Sequence, residues 1–170
     1  MTVSEKGFSL IELIVVLTMV AIIVAFAAPS VVEWRQNANY NNISYRFIGL
    51  LRHARSQAIA SKREHRVEFE VTAGRYRLTR GDRAVGSTVY NSVVQDWVDL
   101  ASPLAIRANN DCLGTADINF TFASDGTGTS DGASNAVCVM EDPLDGSPLI
   151  ARSRISLTST VTGRVVMDKP

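Results

Sequence analysis

From Phe8 to Val32 almost every position is apolar, and the residues before it, Met-Thr-Val-Ser-Glu-Lys-Gly, are short and polar. A bilayer core of about 30 Å needs about 20 helical residues, and Phe8 to Ala28 supplies that number. Beyond Pro29 the apolar residues become periodic. Ile43, Phe47, Leu50, Leu51, Ala54 and Ala58 recur at steps of three and four, which predicts a helix with one buried stripe. Tyr45, Arg52, Ser56 and Arg63 fall on the opposite side. A helix from Phe8 to about Lys62 would be on the order of 80 Å long at 1.5 Å per residue, more than a small soluble domain needs and suited to a filament of bundled helices. Pro29 within it predicts a kink or a break.

After Lys62 the period changes from 3.6 to two. Val67, Phe69 and Val71 alternate with Glu68 and Glu70, and Tyr76 and Leu78 alternate with Arg75, Arg77 and Thr79. A two-residue turn at Ala73-Gly74 sets Val71 against Tyr76, Phe69 against Leu78 and Glu70 against Arg77. Further strands are predicted at about Thr88–Val94, Asp117–Ala123, Ala136–Met140, Arg154–Ser159 and Gly163–Met167. Their spacing suggests packed antiparallel sheets, so the fold class expected is α+β: a long N-terminal helix packed on an antiparallel β-sheet or sandwich.

Length and charge refine this picture. The chain has 170 residues, room for one domain with a real core plus one extended element. Formal charge is zero, yet Arg46 to Arg83 carries ten Lys/Arg against four Asp/Glu, while from Gln95 onward there are five against ten. Such asymmetry is read either as ordinary solvated faces or as a basic face for nucleic acid or for an acidic neighbouring subunit. The candidate contact residues are Arg52, Arg55, Arg63, Arg75, Arg77 and Arg164. Cys112 and Cys138 lie beyond the apolar run. An even count favours a disulfide if that part of the chain is exported, and two buried free thiols if it is not.

Glu12 is the one charged residue inside the apolar span. A carboxylate in hydrocarbon costs about 2.5 to 3.5 kcal/mol on insertion scales, so a plain anchor would not need it. A cut after Gly7 would create a partner, because the α-amino group of Phe8, with a reference pKa near 8, is largely protonated at neutral pH. Four residues separate Phe8 from Glu12, which puts them on one helix face, within one subunit or toward the next.

The run Gly7-Phe8-Ser9-Leu10-Ile11-Glu12 resembles the type III signal of type IV prepilins and type II secretion pseudopilins. The resemblance implies that a prepilin peptidase cuts after Gly7, that Phe8 becomes N-methylated, and that Glu12 is the assembly carboxylate. Pro29 sits where many pilins have a proline. Leu51-Arg52-His53-Ala54-Arg55-Ser56-Gln57-Ala58-Ile59 resembles the ARSxAI signature of the GspH/FimT branch of minor pilins and pseudopilins. Phe122-Ala123-Ser124-Asp125-Gly126 and Gly163-Arg164-Val165-Val166 resemble its mid-domain F-x-x-D-G turn and C-terminal G-R-V strand.

The resulting division is a leader at 1–7, a transmembrane and filament-core helix at 8–29, its amphipathic continuation at 30–64, and a periplasmic β domain at 65–170. The function it implies is a structural subunit, held in the bacterial inner membrane by a single pass and assembled into a type IV pilus or a type II secretion pseudopilus. The partners implied are other pilin or pseudopilin subunits, the prepilin peptidase and the inner membrane. Two rivals differ in the mature N-terminus. A conventional signal peptide cut after Ala25-Phe26-Ala27 would leave Ala28 first, and an uncut anchor would keep Met1.

A DNA-binding minor pilin of the FimT type is the alternative function, drawn from the basic stretch. It is weakened because Lys169 is the only cation after Arg164. No phosphate loop, nucleophile elbow, dinucleotide fingerprint or Cys/His metal spacing occurs, so no enzyme activity, cofactor, metal or small-molecule substrate is expected. His53 and His65 lack neighbours at metal or triad spacing. The stretch from Asp125 to Gly132 lacks EF-hand spacing and reads as a flexible turn, as does Glu141 to Gly146.

Overall fold

The apolar stripe and the alternating segments fold into one helix and two antiparallel sheets in a computed structural model that describes residues 9–131, 135–143 and 146–169, with the side chains of 27–33 and 36 outside the description. Helix α1 spans Leu10–Ser61 and passes Pro29 without a break. Among the described residues nine strands follow: β1 His65–Glu70, β2 Arg75–Arg80, β3 Ser92–Asp99, β4 Leu104–Ala108, β5 Ile118–Phe122, β6 Gly128–Ser130, β7 Ala136–Glu141, β8 Ile150–Ser159 and β9 Arg164–Asp168. The first sheet has the order β3-β2-β1-β5-β6 and the second β4-β7-β8-β9. The chain separates into two units, 1–38 and 39–170.

In the second unit the helical stripe and the inner faces of both sheets form a single core. Ile43, Phe47, Leu50, Leu51, Ala54 and Ala58 are all buried, and the Phe47 ring stands edge-on to Phe69 and Tyr76 at 5.0 Å each. Edge-to-face aromatic pairs add about 0.5 to 1.5 kcal/mol beyond their buried area. On β1 and β5, Val67 and Phe69 face Phe120 and Ile118. A buried hydrogen bond of 2.5 Å between the Ser44 and Ser153 hydroxyls ties the helix to the second sheet.

The β1–β2 hairpin differs from the sequence expectation by two residues. Phe69 pairs with Tyr76, Val67 with Leu78, Glu70 with Arg75 and Glu68 with Arg77. A shift of two keeps every side chain on its face. The connection is longer because Val71 turns into the core and its amide donates to Asp117 Oδ1 at 2.9 Å, while Gly74 takes φ +63°. Two ion pairs, Arg75–Glu70 and Arg77–Glu68, each at 2.6 Å, form in place of one.

Strand β3 begins later than the expected Thr88, because Glu64 holds residues 86–90 in a loop: its carboxylate accepts from the amides of Gly86 and Ser87 and from the Tyr90 hydroxyl. β4 and β6 had no counterpart in the expected strand list. β6 lies inside the Gly/Thr/Ser-rich stretch read as a flexible turn. Asp125 there closes a tight turn, accepting from the Thr127 amide and hydroxyl at 2.9 and 2.6 Å.

Candidate functional site

In the first unit, α1 starts with the Ser9 carbonyl accepting from the amides of Glu12 and Leu13 at 3.1 and 3.2 Å. This puts Glu12 in the first turn, where a carboxylate interacts favourably with the helix dipole. Gly7 and Phe8, the proposed cleavage and methylation positions, lie outside the described residues. The apolar side chains from Leu10 to Phe26 are exposed, among them Leu10 at 76% and Phe26 at 82%. A helix that is apolar all round is stable only when something else covers it. Among the described residues no helix is long and apolar enough to cross a membrane. The run with described side chains stops at Phe26, and the sequence continues it through Ala27 and Ala28 toward the about 20 residues a bilayer requires.

In the second unit the three separated sequence signatures meet at Arg55. Its Nε donates to the Gly126 carbonyl at 3.0 Å, joining the helix to the Phe122–Gly126 turn. Gly163, at the start of the C-terminal strand segment, packs on the same spot: a Cβ there would stand 2.6 Å from the Gly126 carbonyl and 3.2 Å from Arg55 Nε. Alongside this junction runs an open groove of about 1020 Å³ between α1 and β9. Arg52, Arg55 and Arg164 line it together with Tyr45, Ile59 and Met167.

The structure thus divides the candidate arginines into two groups. Arg52, Arg55 and Arg164 share the groove. Arg75 and Arg77 lie elsewhere, each paired with a glutamate and stacked on Trp97, 4.6 and 4.4 Å from its ring centre. Arg63 donates to the Asp82 carbonyl at 2.6 Å. Cys112 and Cys138 form a disulfide with Cα atoms 5.6 Å apart, packed with Met140 and Leu149 in a small cluster apart from the main core.

Residues 3–28 match the prokaryotic N-terminal methylation motif. No curated protein matches the chain. Among solved structures it is similar to the type IV minor pilin FimU of Pseudomonas aeruginosa, with 14% identity and a TM-score of 0.50 over 78% of this chain and 90% of that one. It is also similar to the minor pseudopilin EpsH from the type 2 secretion system of Vibrio cholerae, with 13% identity and a TM-score of 0.52 over 78% and 98%. The match gives the chain a prokaryotic N-terminal methylation motif, and the structural likenesses give it a pilin-like fold, a helix packed on antiparallel sheets.

That pilin-like fold also contains polar devices the sequence reading passed over. Glu64 is buried; burial pushes its carboxyl up, but the amides of Ser87 and Gly86 and the Tyr90 hydroxyl outweigh this and hold it below the usual range. The Arg66 guanidinium stacks 3.7 Å from the centre of the Tyr90 ring. Burial, then the nearby Glu141 carboxylate, pushes Tyr40 up to about 12, while Arg152 pairs with Glu141 and lies 5.3 Å over the Tyr40 ring. His65 is buried, with Nδ1 3.1 Å from the Arg63 carbonyl, and burial lowers its pKa. The signal available for Glu64 was its place between the helix end and an alternating strand, where a carboxylate with no helical partner must find other donors.

Proposed function

We propose that the chain is a minor pilin or pseudopilin: cut between Gly7 and Phe8 by a prepilin peptidase, N-methylated at Phe8, and assembled with other pilin-type subunits into a type IV pilus or a type II secretion pseudopilus. The single observation that carries this is the helix from Leu10 to Phe26, apolar and exposed on every side, with Glu12 as its lone charge, directly inside the methylation motif. Such a surface is covered by lipid before assembly and by neighbouring helices after it. Residues 1–7 are the leader, 8–29 the single pass through the inner membrane, 30–64 the amphipathic continuation, and 65–170 the periplasmic β domain. The disulfide agrees with an oxidising compartment.

The chemistry at the N-terminus belongs to the peptidase, and the chain itself is a structural component. After cleavage the Phe8 amine is the counter-charge of Glu12, in the same subunit or in the next one of the filament. The nucleic-acid reading is not favoured, because Arg75, Arg77 and Arg63 are engaged within the fold. Intact mass measurement of the chain purified from its native membrane tests the reading. The expected polypeptide begins at Phe8 and carries one added methyl group; a polypeptide beginning at Met1 or Ala28 overturns it.

A further inference from the structure

Arginines of the two sheets find their counter-charge within the chain: Arg75, Arg77, Arg152 and Arg154 each meet a carboxylate. Those lining the groove between α1 and β9 do not. Arg55 uses its Nε on the Gly126 carbonyl, and the exposed guanidinium groups of Arg52 and Arg164 meet no acceptor among the described residues. The lining itself holds no Lys, Asp or Glu. Guanidinium groups left without a counter-charge in a concave surface attract an anion from outside the chain.

The rest of the lining decides what kind of anion. Tyr45 and Ile59 are 61% and 40% exposed, about 21 Å apart along the helix at 1.5 Å per residue, with Arg52 and Arg55 between them. Met167 is half-buried on the strand side. Tyr, Met and Arg are enriched at protein–protein interfaces, where Lys, Asp and Glu are depleted. Apolar ends flanking a cationic middle fit a polypeptide segment whose carboxylates lie among apolar residues, whereas a phosphate backbone is met by cations alone.

We propose that this groove is the docking site for a carboxylate-bearing segment of a different pilin-type subunit. The site rests on the reading of the chain as a minor subunit, which meets neighbours of other sequence, so the contact joins unlike chains and does not repeat along a row of copies. Its occupant is not the apolar helix by which such subunits bundle, since Phe8 to Ala28 of this chain carries Glu12 as its one charge, too few for the groove's arginines. Exposed ion pairs are weak singly, so the contact forms where a membrane or filament already concentrates the subunits.

The test is photo-cross-linking of the full-length chain in its native membrane, with Tyr45 replaced by p-benzoylphenylalanine. Ile59 replaced in the same way gives a second probe from the other end of the groove should the first disturb folding. The expected adduct is with another polypeptide that has its own N-terminal methylation motif, through a peptide outside that polypeptide's apolar span and containing Asp or Glu. Arg52→Glu and Arg164→Glu should each reduce its yield several-fold, while Arg80→Glu, on the first sheet, leaves it unchanged. An adduct with a second copy of this chain, with nucleic acid, with lipid or with an acid-free peptide overturns the site, as does a yield that follows Arg80→Glu equally. No adduct from either probe, in chains whose mass shows residues 1–7 removed, overturns the site and leaves the filament reading standing. Chains that retain residues 1–7 overturn both.

Discussion

Arg55 Nε donates to the Gly126 carbonyl at 3.0 Å, and that one bond fastens the end of the long helix to a turn 71 positions away. Gly163 closes on the same carbonyl from the other side, with φ +57° and no room for a Cβ. Three motifs far apart in the chain thereby become one mechanical junction. Hydrogen bonds to charged groups contribute about 1.5 to 3 kcal/mol, so Arg55→Ala is expected to lower stability by about that amount in urea unfolding of the detergent-solubilised chain. Arg55→Lys should not recover it, because the Nε donor is gone.

Two glycines with left-handed backbone give a matched comparison. Gly74 has φ +63° and open space around it, so Gly74→Ala should cost about 1 kcal/mol from backbone strain alone. Gly163→Ala adds a collision with the Gly126 carbonyl and should cost at least about 2 kcal/mol more. Equal effects in the same unfolding experiment would mean that the junction is loose.

Acid stability should depend on Glu64. Its folded pKa is depressed from the reference 4.5, so its contribution is fully present above that value and is lost as pH falls through the folded pKa. His65, also depressed from its reference 6.5, acts in the same direction from a higher pH, because the unfolded chain takes up the proton first. Glu64→Gln is expected to cost about 2 kcal/mol at neutral pH and to flatten the stability profile below pH 4.5, while the slope from His65 persists. A variant profile parallel to that of the unaltered chain would contradict the carboxylate's role.

Cys112 and Cys138 close a loop with a sequence separation of 26. In the chain-entropy model, opening it costs roughly 3 to 4 kcal/mol. Cys112→Ser with Cys138→Ser should therefore shift the urea midpoint clearly downward, and the unaltered chain should behave likewise once its disulfide is reduced.

How much of this could be read from the sequence follows from where the determinants lie. The helical stripe from Ile43 to Ala58 and the β5 run Ile118, Phe120, Phe122 are local periodic patterns, and each occupies the expected element and face. The β1–β2 register was not legible, because it is set by Asp117, which captures the Val71 amide from outside the hairpin. β3 slipped for the same kind of reason, through Glu64 and the loop it holds. β4 and β6 were not legible because Leu104–Ala108 is short, with two alanines and no β-branched residue but Ile106, and Gly128–Ser130 has turn composition. For the candidate site, the signatures could be recognised one by one. Their convergence on Arg55, and the division of the arginines between groove and ion pairs, required the tertiary structure.

The central claim is that Glu12 serves assembly and not anchoring, and the Glu12→Ala variant separates the two. Removing a charge from an apolar span makes insertion easier by about 2.5 to 3.5 kcal/mol, so the variant should reach the membrane at least as well as the unaltered chain. Its recovery in filaments sheared from the cell surface, or in pseudopili where those are formed, should fall steeply relative to its membrane level. Unchanged incorporation at equal membrane abundance would contradict the pairing of Glu12 with the Phe8 amine.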